Sequence, residues 1–180
     1  MSIALRLVLS VCVLGACGCS SGGTSSASGA GGSGTSPQGD CSLRVNLEGE
    51  VTEQLDWDLS EGCGGGADAA AATVAMGWGG ITIPLNFHVT ILDIAEGQLG
   101  QGLRATVRVK NGDLTWRTAE GACTVDVSQF EFREQNTVGR SYRVSGSGSC
   151  AAFADAAEGG AQGTVGIGPF TFRSTTLYPN

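Results

Sequence analysis

Between residues 40 and 180 the apolar positions recur at every second residue, and no stretch carries the three-to-four spacing of an amphipathic helix. Leu43, Val45 and Leu47 share one face, and Leu55, Trp57 and Leu59 share another. Folding these runs back around Thr52 pairs Val45 with Leu59 and Leu47 with Trp57. The same register sets Cys41 opposite Cys63, which argues for a Cys41–Cys63 bridge. Ala67 to Met76 reads as a strand, with a short helix as the alternative, before Gly77-Trp78-Gly79-Gly80 breaks the chain. The cleanest alternation is Ile81, Ile83, Leu85, Phe87, Val89 and Ile91, with Thr82, Asn86, His88 and Thr90 on the other face. Pro84 inside it predicts an edge or a bulge. The change of phase to Leu92 and Ile94 predicts a second bulge.

Leu103, Ala105, Val107 and Val109 lead into Asn111-Gly112, after which Leu114 and Trp116 return. An Asn-Gly turn at those two positions pairs Val109 with Leu114 and Val107 with Trp116. A second hairpin runs from Cys123 to Phe132 and from Ser141 to Cys150, turning around Glu134 to Gly139. Setting Cys123 opposite Cys150 aligns Val125 with Gly148 and Val127 with Gly146. One bulge at Ser128-Gln129 then aligns Phe130 with Val144 and Phe132 with Tyr142, so a Cys123–Cys150 bridge is expected. Ala151 to Ala161 reads as a loop, and Gly163 to Arg173 supplies one or two closing strands around Pro169. About eight or nine strands without helices predict an antiparallel β-sandwich, with a closed β-barrel as the alternative.

The first residues follow another rule. Arg6 and the amino terminus form a small positive region, and Leu7 to Leu14 is apolar except for Ser10. Such a run is far shorter than the roughly 20 residues a helix needs to cross a bilayer. It ends in Leu14-Gly15-Ala16-Cys17, which resembles the lipobox of bacterial lipoproteins. The resemblance covers only this N-terminal part. It implies cleavage before Cys17, a lipid on that cysteine and an extracytoplasmic domain beyond it. Gly18, standing where Asp would favour retention in the inner membrane, implies the outer membrane of a Gram-negative cell. Cys19 is a weaker cut site, because Ala16 would then replace the leucine.

The organisation that follows is a signal peptide over residues 1–16, a lipid-anchored tether over 17–39 and one all-β domain over 40–180. The tether is almost wholly Gly, Ser, Thr and Ala, a composition that cannot bury a core and reaches roughly 25 Å on average. Its Gly18-Cys19-Ser20-Ser21-Gly22 matches a nucleophile-elbow pattern but lacks the strand and helix that an elbow requires.

Charge narrows the partners. The chain holds 10 Lys and Arg against 17 Asp and Glu, and loss of Arg6 takes the net charge from −7 to −8. Such a surface argues against nucleic acid and against adsorption to anionic headgroups; the membrane partner is reached through lipid on Cys17. The four cysteines of the domain include no C-x-x-C, so neither a zinc site nor a dithiol redox motif is indicated. Asp56-Trp57-Asp58 begins a stretch that fails the EF-hand pattern, because Glu61 stands where that loop needs Gly and Ala67 where it needs Glu. No phosphate-binding loop is present, and no cofactor is expected. His88, the lone histidine, lies on a polar strand face without a marked partner. Trp78, flanked by glycines, is the candidate ligand-binding residue if its ring is exposed on the turn, where it could stack on a glycan or a partner protein; the alternative is a ring folded onto the core.

These readings lead to a non-catalytic binding or structural module at the cell envelope. A barrel carrying an apolar ligand is the alternative, and an envelope hydrolase the third reading. No metal site and no catalytic set are nominated.

Overall fold

The computed structural model describes residues 39–59, 62–80 and 83–180, and these form an all-β, sandwich-like domain without helices. Its eleven strands are β1 (Cys41–Gly49), β2 (Glu53–Leu59), β3 (Cys63–Asp68), β4 (Thr73–Gly80), β5 (Ile83–Ile91) and β6 (Gly100–Asn111), followed by β7 (Leu114–Arg117), β8 (Cys123–Gln135), β9 (Gly139–Cys150), β10 (Ala154–Glu158) and β11 (Thr164–Pro179). The order β10-β7-β6-β5-β4-β3-β11-β1-β2 makes the main path, and β8 and β9 bridge β6 to β11. Every pairing is antiparallel except that of Leu177 on β11 with Gly66 on β3. One half of the sheet is therefore β3 to β7 with β10. The other is β1, β2, β8, β9 and β11.

The two-residue alternation builds the core. Leu43, Phe87, Val89, Ile91, Val107 and Val144 are completely buried, while their chain neighbours point outward. Rings from the two halves meet in the middle: Trp78 lies 5.9 Å from Phe172, and Phe87 lies 5.7 Å from Phe170, both edge to face. Gly146 and Gly148 on β9 seat these phenylalanines. A Cβ at Gly146 would stand 2.9 Å from the Phe172 ring, and the Phe170 ring leaves still less room at Gly148.

Both expected disulfides are present. Cys123 pairs directly with Cys150 across β8 and β9, with Cα atoms 4.0 Å apart. The bulge after Val127 and the pairings Phe130–Val144 and Phe132–Tyr142 also match the sequence reading. The Cys41–Cys63 bridge forms as well, with Cα atoms 5.7 Å apart, but by a different route. β1 turns two residues earlier than the alternation implied, so Val45 faces Leu55 and Leu43 faces Trp57. Gly49, at φ 93°, starts that turn, and Thr52 closes it by donating to the Gly49 carbonyl at 3.0 Å. Cys41 therefore reaches Cys63 at the start of β3 rather than along the β1–β2 ladder.

Four further expectations are corrected. Ala67 to Met76 is neither one strand nor a helix: Asp68 accepts from the amides of Ala70 and Ala71 and turns β3 into β4. The β6–β7 turn uses Gly112-Asp113, so Val109 faces Trp116 and Leu114 faces Asn111. Gly112 carries the positive φ of 59° at the first turn position, a Gly-first hairpin instead of Asn-Gly. Leu92 and Ile94 do not make a bulge, because β5 ends at Ile91 and Asp93 takes a positive φ of 55°. The supposed loop after Ala151 contains β10; the closing segment is one strand, β11, within the one or two expected. Pro84 does sit at a register shift, between β4 and β5.

The junction with the upstream chain is held by charge. Asp40 pairs with Arg143, and Arg133 lies 4.0 Å away. The Arg143 hydrogen bond holds the Asp40 carboxyl below the usual carboxylate range. The expected signal peptide, Cys17 and nearly all of the expected tether lie outside the described residues.

Candidate functional site

Antiparallel register places one row of residues straight across five strands. Gly64 on β3 faces Gly77 on β4, Gly77 faces His88 on β5, His88 faces Arg108 on β6, and Arg108 faces Arg117 on β7. The parity that buries Phe87, Val107 and Val109 turns His88, Arg108 and Lys110 outward. A parallel row of Gly66, Ala75, Thr90 and Thr106 lies beside it. These rows floor a groove of about 520 Å³, within the range of ligand pockets.

The floor is bare because it is made of glycine. A Cβ placed at Gly64 or Gly66 meets no atom within 4 Å, so that end is open space. The middle is occupied by His88, whose imidazole lies over the Gly77 backbone; a Cβ there would stand 2.7 Å from Nδ1. Gly77 thus permits a close approach that no other residue allows. Burial lowers the His88 pKa from its ordinary 6.5, and the nearby Arg108 and Lys110 lower it further. The imidazole is accordingly neutral at pH 7.

The far end of the groove is cationic. Arg108 and Arg117 are exposed and directly opposed, and neither makes an ion pair among the described residues. Directly opposed like charges destabilise a ladder. Asp155 follows Arg117 in the register on β10 but forms no ion pair with it. Thr106, only 6% exposed, lines the groove, and its hydroxyl has no hydrogen-bond partner among the described residues.

A second groove, of about 700 Å³, lies on the other half of the sheet. It is larger, but its charges are already engaged. Arg44 pairs with Asp56 at 2.8 Å, and Asp126 accepts from the Gly102 amide at 2.7 Å. Glu96, elsewhere, is engaged by Arg140 at 3.0 Å and by the Tyr142 hydroxyl. Among the described residues no three His, Cys, Asp or Glu are grouped to hold a metal.

The sequence-nominated residues divide. Trp78 is corrected: its ring is 1% exposed, its indole Nε1 donates to the Arg173 carbonyl at 3.0 Å, and the glycines around it belong to β4 instead of a mobile turn. It cannot serve as an exposed stacking platform. His88 is half-buried in the groove, not simply solvated. Asp56 and Asp58 are outward residues alternating with buried Leu55, as read. Cys17 falls outside the described residues. Arg108, Arg117, Thr106, Gly64 and Gly66 were missed. The signal was the polar face of β6, but it takes on meaning only with the correct β6–β7 register and with Cys63-Gly-Gly-Gly recognised as a strand.

The site thus belongs to an all-β, sandwich-like domain with a glycine-floored groove on its outer face. The chain matches no protein-family model, and comparison with curated proteins and with solved structures finds no match.

Proposed function

We propose that this chain is a lipid-anchored lipoprotein of the cell envelope whose β-domain is a non-catalytic binding module, with the glycine-floored groove as its binding face. The observation that carries the binding reading is the Arg108–Arg117 pair: two opposed cations without an ion pair, on a strongly acidic chain, beside a bare floor. Acid–base catalysis gains no support from the groove, since His88 has arginine across the strand and no carboxylate as its partner. The apolar-carrier reading gains none from the centre of the core, which Trp78, Phe87, Phe170 and Phe172 occupy. The anchor rests on Leu14-Gly15-Ala16-Cys17 and the tether composition. It is tested by labelling cells with radioactive palmitate. The wild-type chain should incorporate label and partition with detergent, and Cys17→Ser should do neither. Equal labelling of both would reject the anchor.

A further inference from the structure

We infer that the groove binds a carboxylate-bearing saccharide, laid across the strands with one acid on Arg108 and Arg117 and its further rings over Gly64 and Gly66. The inference rests on the binding-module reading above and names its ligand class. Three observations converge on it.

The first is charge. Two guanidinium groups on adjacent strands offer planar forks to one oxyanion, and an anion there removes the repulsion between them. The second is the hydroxyl of Thr106, which no protein group engages among the described residues and which lines the groove where a ligand hydroxyl would meet it. The third is shape. From Gly64 to Arg117 the row crosses four strand spacings, roughly 19 Å, long enough for a short oligomer. Its glycine end is flat, so the C–H face of a sugar ring can rest on backbone there.

An acidic peptide is the competing anion, and the strand pairing disfavours it. β4, β5 and β6 are each hydrogen-bonded on both sides and β3 meets β11 at Gly66, so the arginine end of the groove offers no free edge for a peptide to extend. A peptide laid across the strands would find few partners for its own amides. A saccharide places its polar groups at its rim, where Asn86, Thr90 and Thr106 stand.

The test is isothermal titration calorimetry on the purified full chain. The probes are trigalacturonate, maltotriose as the neutral trimer, galacturonate as the monomer, and tetraglutamate. Trigalacturonate should bind at least tenfold more tightly than each of the other three, with affinity falling as salt rises. Arg108→Gln and Arg117→Gln should each weaken it at least tenfold, while Arg44→Gln on the other face should change it less than twofold. Gly64→Leu should abolish binding without lowering the melting temperature. Maltotriose binding as well as trigalacturonate would overturn the charge argument, and galacturonate matching the trimer would overturn the role of the floor. Tetraglutamate binding as tightly would make this a peptide groove. Absence of trigalacturonate binding would reject the inference. Palmitate labelling of Cys17, read separately, shows whether the anchored-module reading falls with it.

Discussion

Two strands, β9 and β3, on opposite halves of the sheet, use glycine for opposite purposes. On β9, Gly146 and Gly148 are filled positions, their missing side chains replaced by the rings of Phe172 and Phe170. On β3, Gly64 and Gly66 are empty positions with nothing above them. The charges divide in the same way. Arg44 and Asp56 neutralise each other on one half, whereas Arg108 and Arg117 oppose each other without an ion pair on the other. A glycine that accommodates a neighbour serves the fold. A glycine that faces open solvent in mid-strand costs backbone entropy, about 0.5–1 kcal/mol relative to alanine, and gains no packing in return. That asymmetry is why β3 to β7 are proposed as the binding side.

The largest way to break the contrast is Gly148→Val. The side chain would drive into the Phe170 ring, and overpacking of this kind costs about 1–3 kcal/mol, a fall of several degrees in melting temperature by calorimetry. A melting temperature equal to wild type would mean that the ring is free to move aside. A smaller effect is expected at Tyr178, whose buried hydroxyl has no partner. Burial, with Glu96 and Tyr142 nearby, raises its pKa from 10.0 to about 12. The folded chain therefore keeps this proton while the unfolded chain releases it, so stability declines as pH rises from 10 towards 12. Tyr178→Phe should flatten that decline in urea titrations, and below pH 10 should be neutral or slightly stabilising.

His88 gives the mirror-image test. Its pKa is lowered, so the unfolded chain takes up a proton before the folded one, and stability falls as pH drops below 6.5. His88→Gln should make the curve shallower on the acid side of 6.5; an unchanged slope would mean that the imidazole is not desolvated. The smallest effect is expected from Gly64→Val, a gain of about 0.5–1 kcal/mol at most, because the new side chain enters open space and removes the glycine's entropy cost. A loss as large as that of Gly148→Val would erase the distinction between filled and empty glycines.

The β8–β9 hairpin could be read residue by residue from Cys123 to Phe132, including the bulge after Val127, because its two cysteines fixed the register at one end and paired aromatics at the other; the second shift, after Phe132, was not read. Where no such landmarks existed, alternation identified the buried face but not the partner. Shifting the β1–β2 turn leaves Leu43, Val45 and Leu47 inside, so the period alone could not expose the error. The same ambiguity moved the β6–β7 turn by one residue and hid the opposition of Arg108 and Arg117. Cys63-Gly64-Gly65-Gly66 has no alternation at all, and its strand exists through its pairing with β4. The groove was illegible for that reason: it is built from absent side chains and cross-strand register, neither of which leaves a pattern along the chain. Trp78 misled in the other direction, since flanking glycines look like a turn but here make room on the outer face of β4 for His88 and Asn86.

The Cys41–Cys63 bridge acquires a mechanical meaning from its place at the first residue of β1. A pull on the chain upstream reaches Asp40 first, where arginines from β8 and β9 resist it, and then the disulfide. From there the load divides between β1 and β3, so peeling β1 away from β11 cannot proceed one hydrogen bond at a time. Traction on the N-terminus is thus shared by two strands, one of which begins the cross-strand row at Gly64, one residue beyond the bridge.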